Sequence, residues 1–308
     1  MLKFCYFLQR KHDENHPPPL ILKLKQKFQR YRRNLRAKSK YVGYLRKLTP
    51  QPFIKKLDIN LAEHCNLNCF SCDHFSQLAE PQILNPKDYE KDITLLAKIT
   101  GGLIRRIMLL GGEPLLNPNC KDFFSITRKA FPESQIILVT NGILLPKQDE
   151  SFWQECKANA IHISPTKYPI KVDWERVEQL CKQYEIPFHF YNGDSKKESM
   201  KNVLNPKGTN DPFISYLNCQ MCDCVQLKNG RIYHCSFSAH IEHFNKKFNQ
   251  NLQVNALDYI TLNDNTTYRE ILEFLARPIP FCRYCDTMQW QYIGEWRTSK
   301  KVISEYLE

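Results

Sequence analysis

The sequence predicts an α/β protein built on a parallel sheet, and three observations carry that prediction. Short apolar runs alternate with helical patterns from Lys55 to Tyr191. The motif-like residues fall where the strand-like runs end, which is where parallel barrels place their chemistry. The 308 residues, 42% of them apolar, are enough for one large domain and a smaller module.

In chain order, a basic arm comes first. Residues 1–57 hold 16 Lys and Arg against Asp13 and Glu14, whereas the other 251 residues hold 28 basic and 30 acidic side chains. The net charge of +12 therefore belongs to the arm. Leu20, Leu24, Phe28, Tyr31 and Leu35 recur at helical spacing within it. Such a helix suits an anionic membrane surface, a nucleic acid or an acidic partner protein, or simply docks on the core. There is no run long enough to span a bilayer and no cleavable leader pattern, so a cytoplasmic protein, with peripheral membrane association through the arm as an option, is expected. In that compartment thirteen cysteines read as metal ligands rather than disulfides.

The core follows. Strands are expected at Lys56–Leu61, Arg106–Leu110, Gln135–Thr140, Ala160–Ser164 and Ile186–Tyr191. Helices are expected near Pro86–Ile99, Asp122–Phe131, Glu150–Asn159 and Trp174–Tyr184, with Asn85 and Asp173 as caps. After the first strand, Cys65, Cys69 and Cys72 stand in the order C-x3-C-x2-C. Three thiolates can hold a cubane iron–sulfur cluster with one iron left open; a zinc knuckle is the other use of such thiols. After the second strand comes Gly111-Gly112-Glu113-Pro114, where two glycines let backbone approach a ligand and a carboxylate can accept from an ammonium.

These two motifs together resemble the radical S-adenosylmethionine (SAM) superfamily. The resemblance implies a partial (β/α)6 TIM-like barrel and a [4Fe-4S] cluster on Cys65, Cys69 and Cys72 whose open iron is chelated by SAM. It also implies that Gly111, Gly112, Glu113 and Pro114 cradle the methionine part of SAM, with Thr140, Asn141 and Ser164 at later strand ends near the ribose. One departure is Ser71 before the third cysteine, where the superfamily usually has an aromatic residue; the adenine contact there is a backbone one. His64 and His74 flank the loop, where they would tune a cluster or merely pack.

Past Gly193 a polar linker leads to Cys219, Cys222, Cys224 and Cys235, then to Cys282 and Cys285 after a long gap. Lys228-Asn-Gly230-Arg reads as a hairpin turn. The pattern resembles the SPASM or shortened Twitch module, which implies a second, auxiliary [4Fe-4S] cluster on Cys219, Cys235, Cys282 and Cys285, with Cys222 able to replace one of them. A zinc ribbon is the alternative. The expected division is residues 1–50 as the basic arm, 51–205 as the core barrel and 206–308 as the cysteine-rich module.

By this resemblance the chain would cleave SAM reductively to a 5′-deoxyadenosyl radical that abstracts hydrogen from substrate, drawing electrons from a flavodoxin or ferredoxin. Oxidation or epimerisation of a sugar, cyclitol or nucleotide-sugar is the leading expectation, with Cys222 or Cys224 as a hydrogen donor in the second case. No other catalytic residue is assigned. A peptide-modifying SPASM-type enzyme is the alternative, and a zinc protein that binds nucleic acid through its arm is a third reading.

Overall fold

The computed structural model describes residues 40–193 and 195–308; the expected arm helix over 20–36 lies outside them. The arm's end is described as helix α1 (Lys40–Lys47). Strands β1 (Ile54–Ala62), β2 (Ile104–Gly111), β3 (Gln135–Leu138) and β4 (Ile161–Ile163) alternate with α2 (Pro86–Thr100), α3 (Asp122–Ala130), α4 (Glu150–Ala158) and α5 (Trp174–Gln183). All four strands pair in parallel in the order β4-β3-β2-β1. The chain is thus an α/β protein with a mostly parallel, partial-barrel sheet.

Local chemistry sets the helix boundaries. The Asn85 side chain accepts from Lys87 N at 2.8 Å, Pro86 occupies the first turn, and Gly101 closes α2 in the left-handed conformation. Asp173 caps α5 through Arg176 N at 3.0 Å. Both caps are those the sequence predicts. On β1, Leu57, Ile59 and Leu61 turn to one face and pack with Ile93, Leu96, Phe123 and Phe124 of the helices. Complete burial of each such side chain stabilises the fold by about 1.5–3 kcal/mol.

The expected fifth strand, 186–191, is reduced to one bridge, Ile163 with Phe188. Pro187 explains this in part: it has no N–H to donate, so only its carbonyl, which accepts from Ile163 N at 2.9 Å, takes part. On the other side of β1 the sheet gains a neighbour from late in the chain. After β5 (Glu198–Lys201) and α6 (Pro212–Asn218), β6 (Val225–Lys228) pairs in parallel with β1 at Leu57 and Asp58. β6 then returns as β7 (Arg231–Tyr233) through Asn229 and Gly230, both at positive φ, the turn expected from Asn-Gly. β8 (Tyr259–Thr261) completes the seven-stranded sheet. The cysteine-rich segment and the core therefore share one sheet.

The remaining elements are α7 (Ser236–Phe248), α8 (Tyr268–Phe274) and β9 (Gln291–Glu295), which pairs antiparallel with β5. A second apolar cluster, including Phe75, Phe237, Phe244, Phe281 and Tyr306, holds the cysteine loop after β1 against α7 and the C-terminal segment. Among the described residues no helix is long and apolar enough to cross a membrane.

Candidate active site

The loop after β1 is fastened by the far end of the chain. Phe70 N donates to Arg297 O at 3.0 Å, Ser299 N to Asn68 O at 2.8 Å, and Tyr306 Oη to Cys72 O at 2.9 Å. Two N–H groups reach sulfur: Leu67 N to Cys65 Sγ and Trp296 Nε1 to Cys69 Sγ, each at 3.3 Å. Ser71 sits at a positive φ of 48°. Its hydroxyl accepts from Asn202 N and its carbonyl from Asn202 Nδ2, both at 2.9 Å, so Asn202 holds this strained residue in place.

Burial pushes the thiols of Cys65, Cys69 and Cys72 up, Cys65 to about 12. Without a metal they stay protonated, whereas ligation takes the thiolate. A tetrahedral zinc site brings its sulfurs to about 3.8 Å from one another. Among the described residues, however, the one group of three or more His, Cys, Asp or Glu ligand atoms within 4.8 Å is Glu63, His240 and His243. Three thiols on one loop with N–H donors aimed at sulfur fit a cluster with an open iron.

The glycines after β2 serve a close approach. A Cβ on Gly111, at φ 144°, would lie 2.3 Å from Ala62 O, and one on Gly112 would lie 2.1 Å from His64 O. Gly112 N donates to Ala62 O at 2.8 Å and Glu113 N to His64 O at 3.1 Å, which ties the end of β2 to the start of the cysteine loop. We expect Gly112→Ala to destabilise the fold by about 3 kcal/mol, because backbone rather than a flexible side chain must give way. A thermal midpoint within a degree or so of wild type would contradict this.

Glu113 is wholly buried, and its oxygens serve the chain itself. Oε1 accepts from Leu115 N at 3.1 Å and Thr140 Oγ1 at 2.6 Å, and Oε2 from Asn141 N at 2.8 Å. Burial raises its carboxyl to about 7, against the pull of these donors. Asn141 in turn donates to Asn66 Oδ1 at 2.6 Å and lies 3.9 Å from Cys65 Sγ. Of the residues expected from sequence, Cys65, Gly112, Glu113, Thr140 and Asn141 thus form one connected group. Pro114 continues it by opening the buried turn after Glu113. Ser164 is fully buried, and its hydroxyl has no hydrogen-bond partner.

The other cysteines separate into two places. Cys219, Cys222, Cys235, Cys282 and Cys285 line one small cavity, together with Phe237, Ile279 and Phe281. Cys224 lies outside it, where Lys56 Nζ approaches its sulfur at 3.6 Å. Cys120, Cys156 and Cys181 are buried, free thiols that line neither place. Lys47 at the end of α1 braces the five-cysteine cavity by donating to the carbonyls of Leu217 and Cys219 at 2.6 Å and Tyr216 at 3.3 Å.

Beside the cysteine loop lies a buried polar face of β1 that the motifs alone did not indicate. β1 alternates, so Lys56, Asp58 and Asn60 face away from Leu57, Ile59 and Leu61. Asp58 Oδ2 pairs with Lys56 Nζ at 3.1 Å and accepts from Gln226 Nε2 at 3.3 Å. His74 Nδ1 meets Asn60 Oδ1 at 3.1 Å, and Ser236 Oγ donates to Asp73 Oδ2 at 3.1 Å. That last bond joins the residue after Cys72 to the residue after Cys235. Asp58 Oδ1 and Asn60 Nδ2 are buried without partners. Burial raises the Asp58 carboxyl, although Lys56 pulls it the other way.

A further buried cluster closes the top of β1. Glu63 Oε2 lies 2.8 Å from both His240 Nδ1 and His243 Nε2. Burial lowers the His240 imidazole to about 4, so it bonds as the neutral ring. The three could serve as metal ligands, but Lys228 Nζ lies 3.2 Å from the same oxygen and 3.1 Å from His240 Nδ1. The ammonium takes the place a cation would need. His74 stacks on His240 at 5.1 Å, whereas His64 faces outward to Gln82.

Residues 59–185 match the sequence profile of the radical SAM superfamily. They are a radical SAM domain. The matched stretch holds the three-cysteine loop, the Gly-Gly-Glu segment and β1 to β4 from Ile59 onward. Among curated proteins, this chain is 28% identical over 138 residues to a probable GTP 3′,8-cyclase of Pyrococcus abyssi, a match covering 43% of each chain. It is 30% identical over 99 residues to the GTP 3′,8-cyclase of Aquifex aeolicus, covering 31% of this chain and 30% of that one. The match therefore spans less than half of either relative. Among solved structures, BtrN in complex with AdoMet and 2-DOIA overlaps 77% of this chain and 94% of its own at a TM-score of 0.48 and 19% identity. The anSMEcpe structure with bound AdoMet overlaps 75% and 83% at 0.45 and 15%. The radical SAM domain accounts for one [4Fe-4S] cluster with SAM.

Proposed function

We propose that this chain takes hydrogen from a polyhydroxylated small molecule, a sugar, cyclitol or nucleotide-sugar, and oxidises or epimerises it. The observation that carries the reading is the pair of buried polar atoms without partners on β1, beside the cysteine loop. They are a carboxylate oxygen of Asp58 and the amide N–H₂ of Asn60, which suit hydroxyl groups. When bound, the cluster on Cys65, Cys69 and Cys72 with SAM, and a second cluster in the five-cysteine cavity, supply one-electron chemistry.

The chain's own residues do the rest. Cys65, Cys69 and Cys72 hold the first cluster, while Gly111 to Pro114, Thr140, Asn141 and Ser164 form the strand-end surface against which SAM lies. Four of Cys219, Cys222, Cys235, Cys282 and Cys285 hold the second. Asp58 and Asn60, both buried, orient the substrate. Cys224 meets Lys56, the partner of Asp58, and is the hydrogen donor for epimerisation, whereas Cys222 belongs to the five-cysteine cavity. A reductant such as a flavodoxin or ferredoxin and a cytoplasmic setting go with this reading, since the described cysteines are all free thiols.

The test uses anaerobic enzyme with SAM and a chemical reductant, screened against myo-inositol, glucose and UDP-glucose. A polyol should raise 5′-deoxyadenosine above background, and Asp58→Asn should lower that coupled turnover by about tenfold or more while uncoupled cleavage persists. If the outcome is epimerisation, product formed in D₂O gains one deuteron, and Cys224→Ser removes it. Stimulation by peptides and by none of the polyols would sink the reading.

A further inference from the structure

The lower ends of β1 and β2 carry a charge arrangement that the radical chemistry does not use. In the parallel register Lys56 lies beside Arg106, and paired positions present their side chains on one face. Two cations standing side by side are unfavourable unless something answers them. Asp58 answers Lys56 at 3.1 Å. The Nε of Arg106 is buried with no hydrogen-bond partner.

A cavity of about 540 Å³ opens at this point, within the range of small-ligand sites. Its charged lining consists of Arg46, Lys47, Lys55, Lys56 and Arg106 against the single acid Asp223. Lys47 is committed to the carbonyls of Tyr216, Leu217 and Cys219, and Lys56 to Asp58. Lys55 donates to Gln51 Oε1 at 2.9 Å, a neutral partner, and Arg46 and Arg106 remain. Burial and the charge of Arg46 both lower the Lys55 ammonium, the mark of cations crowded without enough counter-charge. Cys222 and Cys224 line the same cavity, and Cys222 also lines the five-cysteine cavity, so the two adjoin.

We propose that this cavity binds the phosphoryl groups of a diphosphate, with Arg106 as the forked partner and Lys55 and Arg46 as flanking charges. A guanidinium matches two phosphate oxygens at once, and the wall of a partly buried cavity strengthens the pairing relative to open surface. The volume exceeds what an inorganic diphosphate fills, leaving room for an ester group. The inference goes beyond the reaction proposed above: binding here needs neither SAM nor reduction, so the two stand or fall separately.

Calorimetry on the full chain with its clusters in place, under anaerobic conditions, provides the test, with inorganic pyrophosphate and UDP-glucose as probes. Saturable binding of at least one is expected, and Arg106→Met should weaken it at least about tenfold, with Arg106→Lys in between. Circular dichroism and iron content serve as controls for folding. If Arg106→Met does not fold, Lys55→Met gives the same readout. Tighter binding of UDP-glucose assigns the site to a diphosphate ester, and tighter binding of pyrophosphate to the free anion. Absence of saturable binding by both probes up to about 10 mM, or affinities unchanged in the folded variants, overturns the proposal.

Discussion

Replacing Cys65, Cys69 and Cys72 together with alanine is expected to lower iron from about eight to about four atoms per chain and to abolish SAM cleavage. The two numbers follow from the separation of the thiols. The three after β1 lie in a loop closed by the C-terminal segment, and five others line a cavity among Phe237, Ile279 and Phe281. Emptying the first site leaves the second with its full set of sulfurs. Loss of cleavage should be complete if, as proposed, SAM binds the open iron of the first cluster. Iron, sulfide and zinc are measured on wild type and variant, each purified anaerobically. Zinc that persists in the variant beside iron found only in wild type would make the five-cysteine cavity a zinc site. The oxidation reading would then lose its electron acceptor, while the radical SAM domain would stand.

Much of this architecture is legible in the sequence because it is local. The four helices follow from caps such as Asn85 and Asp173, and the three-cysteine loop from its spacing after an apolar strand. The polar face of β1 was not read from the sequence, although Lys56, Asp58 and Asn60 alternate with Leu57, Ile59 and Leu61. What stayed hidden depends on contacts distant in sequence. β6 joins β1 across more than 160 residues, and nothing near Val225 announces it. Cys222 and Cys224 look equivalent until the fold sends one to the cluster cavity and the other to Lys56. Arg106 reads as an ordinary strand residue until its register beside Lys56 is known. Glu113 was expected to face an ammonium, but its three donors come from within the chain.

That last arrangement leads to a strong prediction about stability. Glu113→Ala removes the acceptor for Leu115 N, Thr140 Oγ1 and Asn141 N at a fully buried position, and should destabilise the fold by about 3–5 kcal/mol. Glu113→Gln keeps one carbonyl oxygen for two of the donors but sets an amide N–H₂ against the third, and should cost about 1–3 kcal/mol near neutral pH. The pH dependence separates this carboxylate from its neighbours. Its folded value, raised to about 7 by burial, lies above the ordinary 4.5, so the native state holds the proton more tightly than the unfolded chain. Its contribution is therefore most favourable below 4.5 and declines as pH rises towards 7, by about 3 kcal/mol in all. Above 7 both states are ionised and the penalty is constant. Wild type should lose stability relative to Glu113→Gln as pH climbs through this window, in chemical unfolding of the two side by side. A gap between them that does not change with pH would mean that the carboxylate is ionised in the fold throughout. The three donors, rather than burial, would then govern the junction between the Gly-Gly-Glu turn and the end of β3.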